Sequence, residues 1–164
     1  MPTPSSLSLW WNLGSLLGII MMIQIMRGWF LTLFYVNYRE LSFASLWEAH
    51  LDFVHASFFH WIHMNFASFI FLIIYLHMLK GLYYQSWKRN KLVWIRGVLI
   101  LIVVMAAAFL GYVLPWAQIS LWAATVITYL LRVISPALVV CVWGGYSVNT
   151  VTLSFFLLYI IYCH

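Results

Sequence analysis

HMNFASFIFLIIYLH, residues 63–77, carries two histidines fourteen residues apart, with an almost wholly apolar stretch between them. An imidazole in lipid-like surroundings is costly unless something binds it. At ~3.6 residues per turn the interval is just under four turns, so His63 and His77 project from nearly the same helix face, offset by about 40°. They stand ~21 Å apart along the axis at ~1.5 Å per residue. That is too far to share one metal ion, but it suits two sites stacked across a membrane. A flat cofactor with axial imidazole ligation, such as haem, fits the pattern.

The surrounding chain supplies the membrane. Its 164 residues are 66% hydrophobic, 20% aromatic and 7% charged, with a mean hydropathy of +1.00. Soluble domains carry about 25% charged residues, so a water-soluble class is excluded. Apolar runs over about 13–36, 57–84 and 92–112 are long enough to cross a ~30 Å hydrocarbon core. A more polar connection over 37–56 holds Arg39 and all three acids, Glu40, Glu48 and Asp52. After "GYVLPWAQ" comes a mixed segment to about Val142, then "WGGYSVN". The last apolar run, 150–164, reaches only ~22 Å. Lys80, Lys88, Arg89, Lys91 and Arg96 cluster at the second link, whereas the neighbouring connections hold only Arg39 and Arg132. The positive-inside rule therefore puts the second link and the N-terminus on the inner side, and the first link and "GYVLPWAQ" on the outer side. "MPTPSSLSLWW" lacks the basic n-region and cleavage site of a signal peptide.

The glycines repeat the histidine interval. Gly14 and Gly28 in the first span, and Gly97 and Gly111 in the third, are also fourteen apart. Glycine inside a helix costs about 0.5–1 kcal/mol relative to alanine, and what it offers in return is close approach. Glycines at helix–helix contacts are common in membranes. The same interval on three helices points instead to two bulky planar objects at two depths.

With these stretches the chain resembles the mitochondrial cytochrome b family. The resemblance rests on "PTPSSLSLWWNLGSLLG", "HMNFASFIFLIIYLHMLKGLYY", "AFLGYVLPWAQISLWAATVIT" and "WGGYSV", which together cover nearly the whole chain. It implies an all-α transmembrane helical bundle, with three complete spans and a truncated fourth. Residues 1–164 would form one N-terminal haem-binding domain, incomplete at its C-terminal end. It implies two b-type haems: His63 an axial ligand of the low-potential haem near the outer side, and His77 of the high-potential haem near the inner side. Gly28 and Gly111 would clear the first haem, Gly14 and Gly97 the second. Ubiquinol would be oxidised at an outer pocket partly walled by Phe109 and Ala117, and ubiquinone reduced at an inner pocket that includes Ser15. The implied setting is the multi-pass dihaem subunit of ubiquinol–cytochrome c oxidoreductase in the mitochondrial inner membrane. Its partners there would be a Rieske iron–sulfur protein, a cytochrome c1-type subunit and other subunits of the complex, dimerised and surrounded by lipid, with no nucleic acid.

The chain also departs from the family pattern. Aligning "WGGYSV" without gaps puts Ile160 where a third histidine belongs, with His164 one turn later. Either a short insertion makes His164 a ligand, or the tail has diverged. The arginines expected three residues before the first ligand and three after the second, where they meet haem propionates, are here His60 and Lys80. Arg27, beside Gly28, is an unusual cation inside a span, and such a residue needs an anion or water. We read it as a substitute propionate partner. Glycine is usual in the family where Ala117 stands. The opening segment and later helices of the family are missing, so the chain reads as a shortened or split form rather than a complete enzyme.

Two rival classes remain open on the residues alone: a haem-free structural or assembly subunit, and an unrelated transporter with paired intramembrane histidines. A reduced-minus-oxidised spectrum separates them from the dihaem reading. No Ser–His–Asp set or phosphate loop appears. His50 and His55 read as polar loop residues and Cys141 and Cys163 as buried small hydrophobes. Trp87, Trp94, Trp116, Trp122 and Trp143 read as an interfacial belt. Pro115 should end the third helix, with a helical segment after it roofing the outer pocket.

Overall fold

The computed structural model describes residues 8–163, excluding the side chain of Cys163. His164 and the opening heptapeptide lie outside the described residues, as does the expected burial of Cys163. Among the described residues eight α-helices follow in order: α1 Leu13–Thr32, α2 Ser42–Asp52, α3 Val54–Tyr83, α4 Ser86–Arg89, α5 Lys91–Val113, α6 Gln118–Tyr129, α7 Pro136–Trp143 and α8 Thr150–Cys163. Short 3-10 turns precede α1 and follow α6. Three helical stretches, Leu9–Thr32, Val54–Tyr83 and Lys91–Val113, are long and apolar enough to cross a membrane. The expected all-α bundle with three spans and a shorter fourth helix is the fold found.

The long helices associate as two pairs, α1 along α3 and α5 along α8. In the first, Ile20 meets Ile70, Ile73 and Ile74, with Leu13, Leu17, Met21 and Phe66 around them. The seam advances by alternate steps of three and four residues. On α3 it reads His63, Phe66, Ile70, Ile73, His77, and on α1 Gly14, Leu17, Met21, Gln24, Gly28. This is the heptad spacing of left-handed helix packing, so the fourteen-residue interval is two heptads. Packing alone therefore accounts for Gly14 and Gly28. On α5 the same stepping reads Gly97, Leu101, Val104, Ala108, Gly111, and its central residues Leu101 and Val104 pack on the isoleucine cluster.

A second cluster, Val113, Ala124 and Phe156 with Phe109, Leu110, Trp116 and Val142, joins α5, α6 and α8. The pairs are tied together at the outer end. The Tyr35 hydroxyl donates to the Leu114 carbonyl at 2.6 Å, and the Asn37 amide to Ser154 Oγ at 3.2 Å. The first bond satisfies a carbonyl that the end of α5 leaves without a helical partner. Burial pushes the Tyr35 phenol well above its usual pKa, which keeps the donating form. Between α7 and α8, Gly144 takes φ +67°, a left-handed helix cap that favours glycine. Asn149 then caps α8 by accepting the Val151 N–H at 2.9 Å.

Two expectations are corrected. The first connection is not simply a polar loop: α2 occupies its middle and carries His50, while His55 lies in the first turn of α3. Two of the three acids, Glu48 and Asp52, lie in this helix, which packs on α3 and buries Ala49 and Ser42. Cys141 is exposed rather than buried, because α7 buries Val139 and turns its thiol outward.

The total surface is 11802 Å², whereas a compact soluble monomer of 19.2 kDa shows about 8,400 Å². Apolar side chains along the spans, such as Ile19, Met26, Leu72 and Ile102, are among those exposed. That is where lipid and neighbouring subunits lie against a membrane protein.

Candidate haem-binding site

The seam of α1 and α3 brings the sequence candidates together in pairs. A Cβ built on Gly28 would lie 3.3 Å from His63 Cε1, and one built on Gly14 would lie 3.3 Å from His77 Cε1. Each imidazole therefore rests against a glycine, where a Cβ would make it give by a few tenths of an ångström. The two levels stand ~21 Å apart along α3.

Gly97 and Gly111 behave differently. Among the described residues a Cβ on either meets nothing within 4 Å, so the helix packing seen there does not require glycine. Both fall on the stripe of α5 whose centre, Leu101 and Val104, touches the α1–α3 pair. Because α3 and α5 run in opposite directions across the second link, Gly97 shares the level of His77 and Gly111 that of His63. The bundle is thus closed in the middle and relieved at the two levels where the imidazoles stand. Room for a flat group beside an imidazole, a side chain able to ligate iron axially, fits haem.

Two polar residues of α1 border the outer level. Buried Gln24 donates from Nε2 to the His63 carbonyl at 2.9 Å, which steadies the helix turn that carries the imidazole. Sequence reasoning missed Gln24; a lone amide in the run "IIMMIQIM" was the available signal. The Arg27 guanidinium lies 4.7 Å from the centroid of the Phe66 ring. Its Nη1 is buried with no hydrogen-bond partner among the described residues. A cation buried in a span is stabilised by an anion, and all three acids of the chain lie elsewhere, in the first link.

The residues at the expected propionate positions have other partners. His60 Nδ1 is 3.1 Å from His50 Nε2, which joins α3 to α2. The Lys80 ammonium donates to the Trp10 carbonyl at 2.9 Å and sits 3.9 Å above the Trp11 ring. Ser15 Oγ donates to the Asn12 carbonyl at 2.9 Å, one residue from Gly14 and so at the inner level. Phe109 packs in the second cluster. Exposed Ala117 is the N-cap of α6, following Trp116 at φ +53°. Of the tryptophans, Trp122 is exposed, whereas Trp116 packs inward and Trp143 donates to Thr128 Oγ1 at 2.7 Å. No group of three or more His, Cys, Asp or Glu positioned to hold a metal ion occurs among the described residues.

The family model described as "Cytochrome b/b6/petB" matches residues 1–163. Cytochrome b of Albinaria caerulea is 46% identical over 159 residues, covering 95% of this chain and 43% of its own length. Cytochrome b of Myzostoma seymourcollegiorum is 47% identical over 165 residues, covering 98% and 44%. That of Mycosarcoma maydis is 48% identical over 159 residues, covering 94% and 40%. A chain of a hyperthermophilic respiratory Complex III superimposes with a TM-score of 0.84 at 31% identity, covering 97% of this chain and 46% of that one. The chain thus spans less than half the length of these relatives, and over that span it belongs to the cytochrome b family.

Proposed function

We propose that this chain is the N-terminal, haem-bearing part of the dihaem electron-transfer subunit of ubiquinol–cytochrome c oxidoreductase, working in the mitochondrial inner membrane. The observation that carries the proposal is the pairing of each imidazole level with a relieved glycine position on α5. When bound, haem supplies a one-electron iron couple at each level. The chain's own residues supply position and charge. His63 and His77 would each give an axial nitrogen, Gly28 and Gly14 let the rings lie close to α1, and Gly111 and Gly97 clear the opposite side. Gln24 fixes the His63 turn. Arg27 would meet the outer propionate, a task for which His60, paired with His50, lacks the bidentate geometry of arginine. Lys80 anchors the N-terminal turn beside the inner level. His164, outside the described residues, remains a candidate ligand.

Substrate handling follows the same two-sided plan. Phe109 and Ala117 would contribute to an outer ubiquinol-oxidising pocket, and Ser15 to an inner ubiquinone-reducing one. Proton release outside and uptake inside would charge the membrane. The Rieske protein and a cytochrome c1-type subunit would complete the outer site in a dimeric complex. The test is a reduced-minus-oxidised spectrum of the assembled complex, which should resolve two b-type components. His63→Leu should remove one and His77→Leu the other. Survival of both in the double variant would exclude these ligands.

A further inference from the structure

The outer end of the bundle holds a histidine pair that the haem levels do not use. His50, in the last turn of α2, and His60, in the second turn of α3, face each other with Nε2 and Nδ1 3.1 Å apart. Phe53 alone separates the two helices, in extended backbone. Ala49 and Ala56 are buried on either side of that bend, and such small side chains let the helices close until the imidazoles meet. An open cavity of about 590 Å³ lies against the pair, lined also by Ser57, Phe58, Trp61 and Met64. Its size is within the ~300–1,000 Å³ range of ligand sites.

The donors suit a metal ion of a particular kind. Two imidazole nitrogens 3.1 Å apart subtend about 100° at an ion ~2.0–2.1 Å from each, near the tetrahedral angle. Met64 follows His60 by four residues, one turn along the same face of α3, and brings a thioether to the same cavity. His63 stands ~100° round the helix from Met64, against Gly28 on α1, so this donor set is separate from the haem levels. No carboxylate of the described residues lines the cavity. Neutral donors at the edge of a low-dielectric slab favour a monovalent ion, because the cost of desolvation rises with the square of the charge. Imidazole serves both zinc and copper, whereas the soft thioether selects Cu(I). The first link, which carries His50, holds three acids against one arginine, a field that draws cations to this end.

We infer that His50, His60 and Met64 form a Cu(I) site on the outer face, with two imidazole nitrogens and one thioether around the ion and the cavity mouth open to a fourth ligand. Coordination needs both facing nitrogens unprotonated. Each neutral ring then carries its proton on the other nitrogen, so the ion replaces the hydrogen bond between the rings without net proton release. The aromatic rings of Phe58 and Trp61 line the same wall, and aromatic faces attract a desolvated cation.

The test uses the full chain in detergent, under argon with ascorbate, with Cu(I) alone as the probe and bicinchoninate as the coloured competitor. The wild type should withdraw one equivalent of Cu(I) more than His50→Gln does. Glutamine can still donate to His60, so the tie between α2 and α3 survives while the metal ligand is lost, and circular dichroism should show unchanged helix content. His60→Gln should lose the same equivalent. Each loss of affinity should exceed the ~10–100-fold that removal of a ligand's supporting hydrogen-bond partner costs. Copper X-ray absorption of the wild type should show sulfur beside nitrogen, and Met64→Leu, at an exposed position, should remove the sulfur. His55→Gln, outside the cavity lining, should change neither readout. Cu(I) affinity that survives in the double glutamine variant, a wild-type spectrum without sulfur, or displacement of Cu(I) by equimolar Zn²⁺ overturns the proposal. Should a histidine variant lose helix content, Met64→Leu decides alone, and sulfur retained in its copper spectrum overturns the proposal.

Discussion

Gly28→Val tests the outer haem level most directly. The added Cβ would sit 3.3 Å from His63 Cε1, closer than ordinary van der Waals contact, and the two methyl groups beyond it press further on the ring. His63 has little room to yield, because Gln24 holds its backbone carbonyl at 2.9 Å. Overpacking of this kind commonly costs 1–3 kcal/mol, which corresponds to about a 5- to 140-fold loss of affinity for the group His63 holds. Gly28→Ala should be nearly neutral, since the ring need give only a few tenths of an ångström and alanine returns ~0.5–1 kcal/mol of helix propensity. The assay is potentiometric titration of the two b-type components in the assembled complex, with extracted haem counted per complex. Gly28→Val should deplete the lower-potential component, and Gly14→Val, which presses on His77, the higher-potential one. If both substitutions lower both components equally, or Gly28→Val leaves the lower-potential component intact, the two-level assignment is wrong.

Three further outcomes are expected. Arg27→Gln should lower the midpoint of the outer component and spare the inner, because a nearby cation favours the reduced centre. At an effective dielectric of ~20 a unit charge ~10 Å away is worth about 1.7 kcal/mol, or roughly 70 mV, and an unchanged midpoint would remove Arg27 from the site. Tyr35→Phe should destabilise the protein by about 1–3 kcal/mol by leaving the Leu114 carbonyl unpaired. Because burial raises the Tyr35 pKa, the wild type keeps this contribution below about pH 10 and loses it as pH climbs through the raised value; an alkaline denaturation profile identical in the phenylalanine variant would contradict this. Ala117→Gly should strengthen binding of rigid methoxyacrylate-type outer-site inhibitors 10- to 100-fold, about 1.4–2.8 kcal/mol, with quinol oxidation retained, and unchanged inhibition would show that the Ala117 methyl does not face the inhibitor.

The features legible in sequence were those with a period. The spans, the matched histidine and glycine intervals and the odd arginine all follow from counting along a helix. α2 was hidden because its acids were weighed without asking which face its small residues cover. The tie from Tyr35 to Leu114 joins residues 79 positions apart, and no local pattern announces such a bond. The partners of Lys80 were equally illegible, since Trp10 and Trp11 meet it only after α1 and α3 have aligned. The heptad seam also sharpened the glycine argument. Gly14 and Gly28 are explained by helix contact, so Gly97 and Gly111, which face no neighbour among the described residues, carry the weight.

The seam of α1 and α3 also sets a timetable. Both imidazoles and the glycines they rest against lie before Tyr84, whereas α8 ends 80 residues after Tyr83. At ~5–20 residues per second of synthesis, roughly 4–16 s separate completion of the first helical hairpin from completion of the second. During that interval the hairpin stands in the bilayer with its ligand levels formed and one side still uncovered. Haem delivered in that interval would meet the levels of His63 and His77 open on one side, and completion of the second hairpin, α5 with α8, would close that approach.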